Sequence, residues 1–341
     1  MKMKMKAFVI LGFLGLSAAP LHAAGEYRVA RRIPIPGDGG WDYLTIDPAA
    51  RRLYIAHGTQ VQVFDLDRGH LIGAIPNVAG VHGVALSADK GFASNGRDES
   101  VTIFDPKTFR EISRIKVGEN PDAILYDDAS HRVFTFNGKS NDMTAIDAST
   151  AHIDGRLALG GKPEFAVSDG SGTIFDDLED KSQLLAIDSK TLAITQRWAL
   201  APCERPSSVA MDRAHRRLFV GCGNRLMAVV NADTGRVIMT LPIGDHVDAT
   251  VFDSGTSRIF NANGDGTLTV IQEETPDVYH VVENVKTQKG ARTIALDPQT
   301  HRLYLVTAQF GPAPAPTAQQ PRPRPAILPG TMILLVVEPS K

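Results

Sequence analysis

The sequence predicts an all-β fold, a seven-bladed β-propeller of four-stranded antiparallel blades in which the N-terminal strand completes the last blade. Three observations predict it. A polar residue ends a short apolar run at Asp47, Ser87, Asp127, Asp169, Asp212, Asp253 and Asp297, so a unit recurs every 40 to 44 residues. Each unit repeats one internal order: apolar run, polar turn, a second strand often opening in Arg-apolar-aromatic, a Gly/Asn loop, a third strand such as "VTIFD" or "LLAID", and a fourth such as "EISRIKVG". No amphipathic helix of useful length interrupts the series. Short strands between turn signals, four to a unit with a period in the low forties, are the pattern of propeller blades.

In chain order, residues 1–23 read as a secretory signal: Lys2, Lys4 and Lys6, the apolar run "AFVILGFLGLSAA", and "PLHA" with a cut after Ala23. That run is too short for a stable membrane anchor, and no later stretch approaches about 18 uninterrupted apolar residues. The expected mature protein, residues 24–341, is one propeller, exported to the periplasm or secreted, monomeric and without a membrane span. Losing the three signal lysines leaves 33 Lys and Arg against 38 Asp and Glu. Nothing in that balance suggests nucleic-acid binding, which needs clustered cations to release phosphate counterions.

The first strand of each unit is nearly continuous in apolar residues, as expected where both faces are covered by neighbouring blades. The last unit lacks a fourth strand, whereas "YRVARRIPI", residues 27 to 35, is an unmatched strand at the other end. Joining the two closes the ring and leaves no free edge. Cys203 and Cys222, the two cysteines of the chain, are expected to form a disulfide in an oxidising compartment. Their spacing excludes a CxxCH haem site and a four-cysteine zinc site.

The "DPxxxRLY" turns, "VTIFDPKT" and "MAVVNADTGRVIMTLPIG" resemble the YVTN-type repeats of the YncE-like family of exported seven-bladed propellers. The resemblance covers nearly all the expected mature chain, although the literal YVTN run is missing and an insertion interrupts the last blade. It implies the fold more than the function, because related propellers include binding proteins, surface proteins and lactonases.

In an up-and-down blade, the start of strand one, the loop between strands two and three, and the end of strand four share one face. On the opposite face lie Arg52, Arg132, Arg217, Arg258 and Arg302, each five residues beyond its anchor, and their repetition reads as structure: hydrogen bonds to carbonyls or to the repeat Asp. Five residues before each anchor, at the channel mouth, stand Asp42, His82, Asp122, Glu164, Ser207, Asp248 and Arg292. A packing position would be Ala, Val or Gly, and a turn position would repeat a few turn residues. This slot stays polar while changing chemistry. Clustered carboxylates with His82 and Arg292 favour cation binding or proton transfer at a concave mouth.

Neighbouring loops add candidates. "FDDLEDKS" is expected to bring Asp176, Asp177, Glu179 and Asp180 to the mouth, where Asp122, Glu164, Glu179 and Asp180 are candidate ligands for a divalent cation, although without the spacing of an EF-hand loop. Asn95, Asn137 and Asn263 stand in equivalent Asn-Gly loops, either as ligand contacts or as turn residues. Trp41 is either a stacking surface for a ligand or a blade-junction core residue. The proline-rich insertion 310–330 projects over the mouth, as a lid carrying Arg322 and Arg324 or as a loop for a partner.

Three functions follow. The leading one is a binding propeller that holds a small polar molecule, a cation or an exported protein partner at an acidic mouth. The second is a metal-dependent lactonase-type hydrolase with His82, Asp122 and Glu164 as candidate catalytic residues and a divalent cation activating water. No GxSxG motif or paired-His zinc spacing supports it. The third is a protein-interaction scaffold with no small-molecule site.

Overall fold

The computed structural model describes residues 26–317 and 323–340; the expected signal, residues 1–23, lies outside them. Seven four-stranded antiparallel sheets form the ring. Their innermost strands are Trp41–Asp47, Val81–Leu86, Pro121–Asp127, Pro163–Ser168, Pro206–Asp212, Val247–Asp253 and Ile294–Asp297, which number the blades one to seven. Among the described residues no helix is long and apolar enough to cross a membrane.

Blade seven is built from both ends of the described chain. Its inner strand and Arg302–Thr307 are followed by Ile333–Pro339, and Tyr27–Pro34 pairs with that third strand from Tyr27↔Pro339 to Pro34↔Ile333. The N-terminal strand thus supplies the outermost position that the last repeat lacks.

Burial explains the Arg-apolar-aromatic signature. Tyr54, Phe134, Phe175, Phe219, Phe260 and Tyr304 come from the second strands and are buried between neighbouring sheets. Phe260 packs with Leu303, Leu305 and Leu335 between blades six and seven, and Tyr304 with Leu44, Leu53 and Ile55 between blades seven and one. Each apolar layer is therefore shared by two repeats, and truncating such an aromatic should cost about 3 to 5 kcal/mol.

A basic or imidazole side chain crosses every blade interface on the face opposite the mouth. Arg52 donates to the Pro106 carbonyl, Lys90 to those of Ala148 and Ser149, Arg132 to those of Ser189 and Lys190, and Arg217 to that of Pro276. The other three interfaces pair Arg216 with Asp169, His301 with Asp253 and Arg51 with Asp297. Carbonyls thus accept from three of the five repeat arginines, whereas Arg258 pairs with Glu26 and Arg302 with Glu338. At those three interfaces the repeat Asp is reached by the residue before the arginine position, which has a left-handed backbone (φ 56° at Arg51, 57° at Arg216, 56° at His301).

Cys203 and Cys222 form a disulfide, with Cα atoms 5.5 Å apart. It fastens the loop before the inner strand of blade five to the end of the second strand, Arg217–Cys222. The chain-entropy model gives such a closure about 3 kcal/mol. The insertion leaves the ring between the second and third strands of blade seven, and its legs pair through Gly311 N to Ala326 O and Leu328 N to Gln309 O, at 2.8 and 2.9 Å.

Candidate functional site at the channel mouth

The slot residues reach the mouth because the inner strands are bulged there. The register with the second strand shifts between Trp41 and Leu44, Val81 and Val84, Pro121 and Ile124, Pro163 and Ala166, Pro206 and Ser208, and Val247 and Ala249. Each shift contains the slot residue of its blade. A β-bulge re-aims a side chain and releases it from the alternation of the strand. In blade seven the inner strand starts at Ile294, so Arg292 precedes it.

Two bulges are held by a side chain of the second strand. Ser94 Oγ accepts the Gly83 amide at 3.0 Å, and Asp177 Oδ1 accepts the Phe165 amide at 2.7 Å. Asp177 and Asp176 therefore correct the loop expectation: both lie in the strand Thr173–Leu178 and are buried. Burial, reinforced by Asp177 and Glu164, pushes the Asp176 carboxyl well above its ordinary range. It is held neutral.

All seven slots line one cavity of about 480 Å³, together with Tyr43, Lys162, Glu179, Arg205, Asp245, His246 and Arg324. His82 Nδ1 lies 2.5 Å from Asp42 Oδ2 and 3.4 Å from Asp122 Oδ1. Burial alone would lower the imidazole pKa, but the Asp42 hydrogen bond and the charges of Asp122, Asp42 and Glu164 outweigh it and raise it to about 9. His82 is thus an imidazolium at neutral pH.

The carboxyls move the other way. Burial raises Asp122 to about 7, with Asp42 and Asp248 adding to the rise and His82 opposing it. Glu164 rises to about 7 through burial and Asp122, against Lys162. Asp248 also rises to about 7, mainly through burial, against Arg292, whose Nε lies 3.2 Å from its Oδ2. Three carboxyls poised near neutrality can take up or release protons when a charged group enters.

The mouth is not simply acidic, which corrects the sequence expectation. Lys162 Nζ lies 2.7 Å from Glu164 and 2.5 Å from Glu179, and Arg205 lies 3.0 Å from Glu179. Six carboxyls in the lining face four Lys or Arg side chains and two histidines. The expected metal quartet does not converge either. Lys162 occupies the space between Glu164 and Glu179, and Asp180 accepts the Lys162 amide at 2.7 Å. The cluster at ligating distance in the mouth is instead Asp42, His82 and Asp122.

Other candidates serve the fold. Asn95, Asn137 and Asn263 end second strands and are fully buried, not rim contacts. Each Nδ2 donates to two side chains of the third strand: Asn95 to Ser100 and Thr102, Asn137 to Asp142 and Thr144, Asn263 to Thr267 and Thr269. Trp41 packs near Phe310, ring centroids 6.2 Å apart, and against the core between blades seven and one, so it is no stacking platform. Ser207 belongs to the lining, yet its hydroxyl donates to the Val247 carbonyl at 2.8 Å. Arg324 of the insertion lines the cavity; Arg322 lies outside the described residues.

Tyr43 and Lys162 escaped the sequence reading. The position after the slot reads Tyr43, Gly83, Ala123, Phe165, Ser208, Ala249 and Thr293, two aromatics among small residues. Those aromatics come from blades one and four and meet edge to face with centroids 5.0 Å apart. Burial and then Asp122, Asp248, Glu164 and Asp42 raise the Tyr43 hydroxyl pKa, so it stays a donor. The position two before the slot holds Lys162, Arg205 and His246 in blades four to six, a signal equally available in the repeat alignment.

No family model and no curated protein matches the chain. Solved structures do. A chain of hydrazine synthase from Kuenenia stuttgartiensis is 15% identical with a TM-score of 0.70, covering 80% of this chain and 92% of that one. A chain in the mitotic checkpoint complex is 14% identical with a TM-score of 0.73, covering 96% and 100%. The WD40 repeats of RRP9 are 8% identical with a TM-score of 0.73, covering 92% and 98%. At such identities these likenesses establish a shared seven-bladed propeller fold.

Proposed function

We propose that this chain is an exported, YncE-like binding propeller whose central mouth holds a small polar ligand. The observation that carries the reading is the convergence of seven slots, six of them on bulges, upon one cavity of about 480 Å³. That volume falls in the range of small-molecule sites. Polar side chains dominate the lining, so recognition works through hydrogen bonds and charge. A thermal-shift and calorimetric screen of polar metabolites tests this, using the intact protein and the Asp42→Asn, His82→Ala and Asp122→Asn variants. At least one compound should stabilise the parent and lose affinity in the variants. Affinities unchanged by all three substitutions would remove the basis of the reading.

A divalent cation at Asp42, His82 and Asp122 is the second reading, favoured by the mutual approach of their ligand atoms within 4.8 Å. Such an ion has to displace the proton that His82 holds between the two carboxylates, so its affinity should increase as pH rises towards about 9. Metal analysis of protein purified without chelator, and again after His82→Ala, separates the readings. Stoichiometric metal lost in the variant supports a cation site and makes a lactone panel the next step. Absent metal, with thermal stability indifferent to added divalent ions, rejects it.

A further inference from the structure

Blade order gives the cavity two opposed poles. Asp122 and Glu164 stand on blades three and four, whereas Arg292 and Arg324 belong to blade seven. In a seven-membered ring, the point opposite blade seven falls between blades three and four. Asp122 and Glu164 therefore face Arg292 and Arg324 across the channel axis, with Asp248 paired to Arg292 on one side and Lys162 paired to Glu164 on the other. Tyr43, packed edge to face on Phe165, also lines the cavity.

The guanidinium pole has unused donors. Arg292 engages Asp248 through Nε at 3.2 Å, and Arg324 makes no ion pair among the described residues. At the carboxyl pole Glu164 is paired with Lys162 at 2.7 Å, whereas Asp122 lies 3.4 Å from His82, longer than a good charge-assisted hydrogen bond. The hydroxyl of Tyr43 has no hydrogen-bond partner among the described residues. Apolar lining is limited to Val247 and the Tyr43 ring, which leaves no bed for a long hydrocarbon group.

We propose that the ligand is a small zwitterion, an amino carboxylate whose ammonium seats against Asp122 and whose carboxylate seats against Arg292 and Arg324. This rests on reading the mouth as a ligand site and adds the polarity of what binds there. A ligand with one charge satisfies one pole and desolvates the other without recompense. A zwitterion satisfies both, and Arg offers a carboxylate a two-pronged contact that a point charge does not.

The test is calorimetry on the intact protein with glycine, β-alanine and glutamine, using ethylamine and propionate as the single-charge counterparts of β-alanine. At least one zwitterion should bind about tenfold or more tightly than either counterpart. Arg324→Ala should weaken zwitterion and propionate binding while sparing ethylamine, and Asp122→Asn should weaken zwitterion and ethylamine binding while sparing propionate. Ethylamine or propionate binding as tightly as the zwitterions would overturn the bipolar proposal and leave the mouth as a ligand site. Failure of all three zwitterions to bind would also overturn it. Only the wider metabolite screen, with its Asp42, His82 and Asp122 variants, reaches the underlying reading.

Discussion

Arg51 reaches from blade one to Asp297 of blade seven, its Nη1 2.8 Å from Oδ2, and so ties the first repeat to the last. Asp297 is fully buried, and its carboxyl is held below the ordinary range because bonds from Thr300 and Arg51 outweigh the effect of burial. Replacing Arg51 with Ala leaves that carboxylate without its cation and should cost about 2 kcal/mol. Urea unfolding would measure it. Adding Asp297→Asn should recover part of the loss, whereas strictly additive effects would show that the pair is not coupled.

Ring closure makes a stronger demand. Removing residues 26–36 deletes the outer strand of blade seven and exposes the paired edge of Ile333–Pro339. Such a chain should melt far below the parent and tend to self-associate through that edge. A truncated protein with the parent's melting temperature would contradict closure by this strand.

Removing His82 leaves Asp42 and Asp122 facing each other without the imidazolium between them. His82→Ala should cost about 2 kcal/mol at neutral pH, less than a fully buried pair because both sides retain some solvent access. Asp42→Asn placed on top should cost little more, since the repulsion has gone. A double variant as unstable as the sum of the singles would sink this account of the triad.

Stability should be highest near pH 4 and decline towards pH 9. Asp122, Glu164 and Asp248 have folded values near 7 against ordinary values of 3.8, 4.5 and 3.8, so the unfolded chain releases protons first and rising pH disfavours the folded state across that interval. His82 acts in the same direction: its contribution is complete below 6.5 and disappears as pH rises through about 9. On the acid side, Asp127, Asp169 and Asp297 have depressed values and lose their stabilising contribution as they protonate. Melting curves from pH 4 to 9 check the sign. Asp248→Asn should flatten the decline between about pH 5 and 7; a melting temperature that climbs from pH 5 to 9 would refute the assignment.

How far the sequence could be read depended on repetition. Seven copies averaged out local noise, so the strand order, the closing strand and the polar slot were visible in one chain. Features confined to one blade were harder. "FDDLEDKS" has the composition of a surface loop, yet Asp176 and Asp177 are buried because the strand position of blade four overrides local polarity. Asn95, Asn137 and Asn263 were obscured differently: the Gly after each begins the turn, while the Asn still belongs to the strand and bonds its neighbour. Partnerships such as Lys162 with Glu179 join side chains 17 residues apart, and no periodic signal encodes them.

The bulges of the first six inner strands separate two kinds of constraint. Each lets one side chain leave the strand's alternation while the residues around it stay in the shared apolar layers. The mouth therefore behaves as a set of interchangeable teeth on a fixed wheel. Randomising Asp42, His82, Asp122, Glu164, Ser207, Asp248 and Arg292 together should yield folded proteins with altered ligand preference far more often than the same number of changes in the second strands.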